Sequence, residues 1–197
     1  MHMIEDQLKS LPSLPSLPNM RSFKVYDITS IRHQMTQIGS SAYSPSLMKT
    51  MPSLVNFYCY NNLHKVNTLS TTELAELRGL CPNIQSLMID ISYDSNWPFE
   101  VLEELVSNFE KLSMLTLRVH TATPELMESL FTKPNCHPAF QAMAANRKTW
   151  SPGRNLHVEL RPVRFNISRD AKKLMPALFA WVGCLPNTYI YCPRRHW

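Results

Sequence analysis

A chain of 197 residues with 44% apolar and 18% charged side chains is long enough for one domain with a sizeable core, and its composition excludes a fibrous or wholly disordered protein. No run approaches the roughly 20 apolar residues that cross a bilayer, and the opening MHMIEDQLKS lacks the basic start and apolar stretch of a signal peptide, so an intracellular protein, cytoplasmic or nuclear, is expected. The net charge of +5 is scattered apart from Arg147-Lys148, Lys172-Lys173 and Arg194-Arg195, a distribution that reads as solvated surface more than as a nucleic-acid stripe.

In chain order, residues 1–18 read as an N-terminal cap and lead-in. Met3, Ile4, Leu8 and Leu11 approximate a helical face, and the spaced prolines from Ser10 to Pro18 favour an extended polyproline conformation. The remainder, 19–197, reads as a single irregular repeat domain. Strands are expected at Arg21–Tyr26, Val55–Tyr60, Gln85–Ile91 and Ser113–Val119, each with apolar residues at a fixed offset: Met20, Phe23 and Val25; Leu54, Phe57 and Cys59; Ile84, Leu87 and Ile89; Leu112, Leu115 and Leu117. The unit starts Leu17, Met51, Cys81 and Phe109 are 34, 30 and 28 residues apart, at or above the long end of the roughly 20–29 of a leucine-rich repeat.

Between strands the pattern is helical. Ser44-Pro45 opens a short helix through Met51, and Ser70 with Glu73 has capping-box spacing ahead of Leu74, Leu77 and Leu80. Asn96-Trp97-Pro98 leads into Phe99–Asn108, and Thr123-Pro124-Glu125 starts another helix. The rhythm then breaks into a polar insertion at 132–153, within which Pro138–Arg147 makes one or two helical turns. A fifth strand at Leu156–Leu160, a long helix over Ser168–Gly183 and a sixth strand at Tyr189–Cys192 complete the chain. The fold expected is α/β: a leucine-rich-repeat-like solenoid with a curved parallel sheet and helices on its convex side.

Alternate strand residues point to opposite faces, so the apolar offsets face the core and their neighbours form an open strip. The candidate partner-binding residues on it are Tyr26, Asn56, Tyr58, Tyr60, Met88, Asp90, Met114, Thr116 and Arg118, continued by His157, Glu159 and Arg161. Tyrosine, methionine and arginine are enriched at protein interfaces. Neighbouring Tyr58 and Tyr60 keep an RNA-binding surface as the alternative, because aromatics on a sheet stack bases.

The stretch CPNIQSLMIDISYDSNWPFEVLEELVSNFEKLSMLTLRV, residues 81–119, resembles the repeat region of ascomycete F-box and leucine-rich-repeat proteins, with Cys-Pro-Asn before a strand, an acidic loop ending in Trp-Pro, and a helix leading to a second leucine-rich strand. Weaker matches extend it to about 17–131. The resemblance implies a fungal protein that recognises a target, of the kind that serves as a ubiquitin-ligase adaptor. With only 16 residues ahead of the first repeat, an F-box is not expected, nor is direct binding of the ligase's linker subunit.

Catalysis has little support in the sequence. Cys136-His137 with His157 offers a nucleophile and base, but no phosphate loop or nucleophile elbow accompanies them. The five cysteines, Cys59, Cys81, Cys136, Cys184 and Cys192, include no CxxC pair, so reduced thiols are expected, and Cys184, Cys192 and His196 match no common zinc spacing. Glu103 and Glu104 read as surface charges, and Trp97 as packing for a turn. The expectation is a noncatalytic monomer that binds a protein target through the open strip, without metal or cofactor and away from membranes.

Overall fold

The computed structural model describes residues 17–25, 48–49, 51–59, 68–147, 155–163, 177–182 and 188–191. Its repeating element is a turn. The backbone N–H of Met20 donates to the Leu17 carbonyl at 3.0 Å, Leu54 to Met51 at 3.1 Å, Ile84 to Cys81 at 3.4 Å and Leu112 to Phe109 at 3.1 Å. Pro18, Pro52 and Pro82 occupy the second position in three of these four turns, where a fixed φ pre-forms the bend. The first and fourth residues point inward: Met51, Leu54, Cys81, Ile84, Phe109 and Leu112 are all buried. Each turn therefore sets which face of the following strand meets the core.

From the turns run β1 (Ser22–Val25), β2 (Asn56–Cys59), β3 (Ser86–Tyr93) and β4 (Met114–Thr121), followed later by β5 (Leu156–Pro162). These five pair in parallel in sequence order, and the sheet is completed by β6 (Leu178–Val182) and β7 (Tyr189–Tyr191), both antiparallel. Seven strands thus form one open sheet among the described residues, not closed into a barrel. The register puts Phe23, Phe57, Leu87, Leu115 and Val158 in one lateral row, and Val25, Cys59, Ile89, Leu117 and Leu160 in the next. Phe23 and Phe57 stack with ring centroids 6.4 Å apart. This is the alignment that the repeated apolar offsets predict.

Among the described residues, the crossovers from β2 to β5 carry helices. Between β2 and β3 lies α1 (Thr71–Leu80), whose N-terminus is the capping box expected: the Glu73 N–H donates to Ser70 Oγ at 3.2 Å and the Ser70 N–H donates to Glu73 Oε2 at 2.8 Å. Between β3 and β4 lies α2 (Phe99–Asn108), with Leu102, Leu105 and Val106 buried. The β4–β5 connection carries α3 (Pro124–Leu130) and α4 (Lys133–Asn146), capped by Thr123 and Thr132. Helix α2 packs between α1 and α4, α3 lies on β4, and α4 reaches β6 and β7. The buried faces of these four helices and the inner rows of the strands form one continuous apolar cluster. No described helix is long and apolar enough to cross a membrane.

Two expectations are corrected. The polar insertion at 132–153 contains a full helix of 14 residues, α4, not one or two turns. Its buried residues Cys136, Ala139, Phe140, Met143 and Ala144 keep helical spacing, and their burial offsets the backbone hydrogen bond that Pro138 removes inside the helix. The late helix expected over Ser168–Gly183 is replaced at its end by β6, where Leu178–Val182 pairs antiparallel with β5. A short apolar run such as LFAWV satisfies either period, and the free edge of β5 decides it. The N-terminal cap and lead-in up to residue 16, and most of the helix expected from Ser44 to Met51, lie outside the described residues.

Candidate functional site on the open sheet face

The face turned away from the inner rows is laid out by the same register. One row runs Ser22, Asn56, Ser86, Met114, His157, Trp181 and Ile190; the next runs Lys24, Tyr58, Met88, Thr116, Glu159 and Phe179; the third includes Asp90, Arg118 and Arg161. All the described candidates therefore share one face as alternation predicts, while Tyr26 and Tyr60 lie outside the described residues.

They are not equally accessible. Asp90, Thr116 and Arg118 are buried, as are Ser86, His120 and Glu159, because these polar side chains close over one another. Asp90 Oδ1 lies 3.3 Å from Arg118 Nη1 and 3.2 Å from His120 Nε2. Glu159 accepts from Thr116 Oγ1 at 3.3 Å through Oε2 and from Arg161 Nε at 2.8 Å through Oε1, with Arg161 Nη2 also 2.7 Å from Oε1. The middle of the strip is thus a braced charge network, whose carboxylates are spent on internal partners. Asn56, Tyr58 and Met88 are half-buried, and Tyr58 is fixed by a 3.2 Å hydrogen bond between its hydroxyl and Ser86 Oγ, with Lys24 Nζ 5.7 Å from its ring centre.

Beyond the expected Met114 and His157, the strip gains an apolar end from Phe179, Trp181 and Ile190. Met114 is 48% exposed and Ile190 54% exposed, and between them in the same row lie His157 and Trp181. The His157 ring lies 5.7 Å from that of Phe179, nearly parallel, and 4.8 Å from that of Trp181. Phe179 and Trp181 lie in the segment expected as helix, and no alternation within the apolar run LFAWV marks them for this face. On the opposite face of the same hairpin, Tyr189 and Tyr191 pack on Phe140 of α4, Tyr189 OH meets His137 Nδ1, and Tyr191 OH donates to the Lys133 carbonyl at 2.8 Å. Burial, with neighbouring Tyr189 second, raises the Tyr191 pKa above its usual value.

The structure does not bring Cys136 and His157 together. Cys136 is fully buried in the core with its thiol donating to the Leu130 carbonyl at 3.3 Å, whereas His157 lies on the open face. Burial pushes the Cys136 thiol up to about 12, Cys59 up to about 12 and Cys81 up to about 11. Cys81 donates to the Met51 and Met48 carbonyls at 3.6 and 3.8 Å, which ties one unit to its predecessor. Since the thiolate is the reactive form, iodoacetamide at neutral pH is expected to leave Cys59, Cys81 and Cys136 unmodified in the native protein and to label them after unfolding. Peptide mass spectrometry checks this, and native labelling of Cys136 would restore it as a nucleophile. Cys184, Cys192 and His196 lie outside the described residues, and among the described ones no three His, Cys, Asp or Glu side chains form a metal-binding group.

Three further readings change or sharpen. Trp97 packs the turn before α2 as expected, with its ring 5.1 Å from Tyr93, and in addition donates from Nε1 to the Asn135 carbonyl of α4 at 3.1 Å. Glu103 is exposed, but Glu104 is half-buried, 3.6 Å from Arg78 of α1 and accepting from Asn108 Nδ2 at 2.7 Å. Arg147, taken from the sequence as solvated surface, is buried; Nη1 donates to the Val106 carbonyl at 3.2 Å and Nη2 to the Leu112 carbonyl at 2.9 Å. No family model, curated protein or solved structure matches this chain.

Proposed function

We propose that the chain is a leucine-rich-repeat-like solenoid acting as a noncatalytic protein-interaction module, which holds a protein target on its open sheet face. Parallel sheets usually bury both faces, and a parallel sheet buried against helices on one side while presenting apolar groups on the other is the arrangement of a repeat array with a binding face. The observation that carries the reading is the row Met114, His157, Trp181 and Ile190, exposed at Met114 and Ile190 and half-buried between them, beside a braced polar network. Singly exposed apolar residues need no explanation, but a contiguous row marks an interaction surface. The likeness of residues 81–119 to F-box adaptors supports a role in target recognition within that group.

The test is affinity capture followed by quantitative binding of the captured target. Met114→Ala with Trp181→Ala is expected to weaken that binding by at least about tenfold, since an aromatic anchor alone is worth more than about 1 kcal/mol. Circular dichroism confirms that the fold survives. Unchanged affinity in the double variant would remove this face from the site. RNA is the second reading, favoured by the His157, Phe179 and Trp181 rings and by Lys24 over Tyr58, a set that stacks bases beside a cation. Capture abolished by ribonuclease, with affinity falling steeply in salt, would select it.

A further inference from the structure

We propose that the ligand of this face is an extended acidic peptide segment, which seats an apolar side chain against Met114, His157 and Trp181 and places a carboxylate on Arg161. The inference rests on the interaction reading above and adds the chemistry of the partner. Among the described residues at this end of the face, Arg118 is paired with Asp90 and Arg161 with Glu159. The carboxylate side chains are 3% and 11% exposed, whereas the Arg161 side chain is 49% exposed. The group that a ligand meets at that end of β5 is therefore the Arg161 guanidinium, the exposed member of its ion pair.

Arg161 is also held in position. Its Nε and Nη2 both engage Glu159 Oε1, and Glu159 is itself held by Thr116. Two of the five guanidinium N–H donors are used in this way, which leaves three for an incoming carboxylate on a side chain that has already lost much of its rotamer freedom. The anchor and the cation are spaced by the strand itself. His157 and Arg161 are four residues apart on β5, about 13 Å at a rise of about 3.3 Å per residue. An extended segment running along β5 meets both when its apolar anchor and its Asp or Glu are also about four residues apart, with the anchor resting on the His157 ring and its Trp181 neighbour.

A displayed library of random peptides, selected on the purified chain, tests the inference. Enriched clones are expected to pair an aromatic or branched aliphatic residue with Asp or Glu about four positions away, and synthetic versions should lose about tenfold or more in affinity on Trp181→Ala and on Arg161→Glu. Reselection on the Arg161→Glu chain is expected to keep the apolar anchor and exchange the acidic position for Lys or Arg. A purely structural role of Arg161 would not produce that exchange. Clones that depend on Trp181 but show no acidic preference, with Arg161→Glu neutral, would overturn the acidic-peptide inference and leave the interaction reading standing. If no selected peptide depends on Met114 or Trp181, both fall. Tight binding of a labelled RNA oligonucleotide lost on Trp181→Ala, or a dimer in sedimentation that Ile190→Asp dissociates, would likewise overturn it in favour of nucleic acid or a second copy of the chain.

Discussion

Leu115→Ala and Leu87→Ala are each expected to lower the unfolding free energy by about 2–5 kcal/mol in urea titrations, with the larger loss at Leu115. Both side chains are within 1% of complete burial and lie in adjacent positions of one inner row, flanked by Phe57 on β2 and Val158 on β5. Truncation removes the transfer free energy of the lost methyl groups and leaves a cavity that a stacked row cannot close without shifting neighbouring strands. Leu115 sits on β4, which has a buried face toward the helices and a largely buried polar face opposite, so relaxation is most restricted there. An unchanged denaturation midpoint for both variants would mean that the repeated strands do not share the register described. Because neighbouring positions in one row share a cavity, the double variant should depart from the sum of the singles.

Arg147→Ala is expected to cost about 2–4 kcal/mol, read as a fall in melting temperature of roughly 5–15 °C for a chain of this size. The guanidinium supplies a donor to the Val106 carbonyl, in the last turn of α2 where no intrahelical partner exists, and another to the Leu112 carbonyl in the turn before β4. Beside it Ser107 Oγ donates to the Asn146 carbonyl at 2.7 Å, so the ends of α2 and α4 are tied at one place. Removing the fork strands two buried acceptors, each at a cost of about 1–3 kcal/mol, and the relief of a desolvated charge returns part of that. Burial holds the Arg147 pKa below its usual value, in keeping with a cation kept by hydrogen bonds. Arg147→Lys retains charge but not the planar fork, and should recover less than half of the loss. Full stability in the lysine variant would show that charge alone suffices.

Part of the molecule was legible because local chemistry repeats. Apolar residues at the first and fourth turn positions, proline at the second in three of the four units, and two more apolar residues along the strand specify a turn and an inward face without reference to distant residues. Ser70 and Glu73 cap α1 by a bond between near neighbours, and Thr123-Pro124 starts α3 in the same local way. The candidate strip was legible for the same reason: once the inner positions were known, alternation assigned Asn56, Tyr58, Met88 and Met114 to the other face.

By itself, then, the sequence determined the unit length, the inner rows and the identity of the open face, all of which follow from spacings within a few tens of residues. Only the tertiary structure decided which open-face residues reach a partner. Asp90 and Arg118 are 28 residues apart and neutralise each other across β3 and β4, so residues that read as exposed anchors are internal braces. Arg147 became a buried cap because α4 carries it to the end of α2, a placement no local pattern encodes. Leu178–Val182 became a strand because β5 offered it an edge, and that pairing set Trp181 beside His157, in line with Met114 one strand further on, to form the apolar end of the face. In each case the deciding interaction joins elements distant in sequence, and its free energy depends on burial that exists only after the chain has folded.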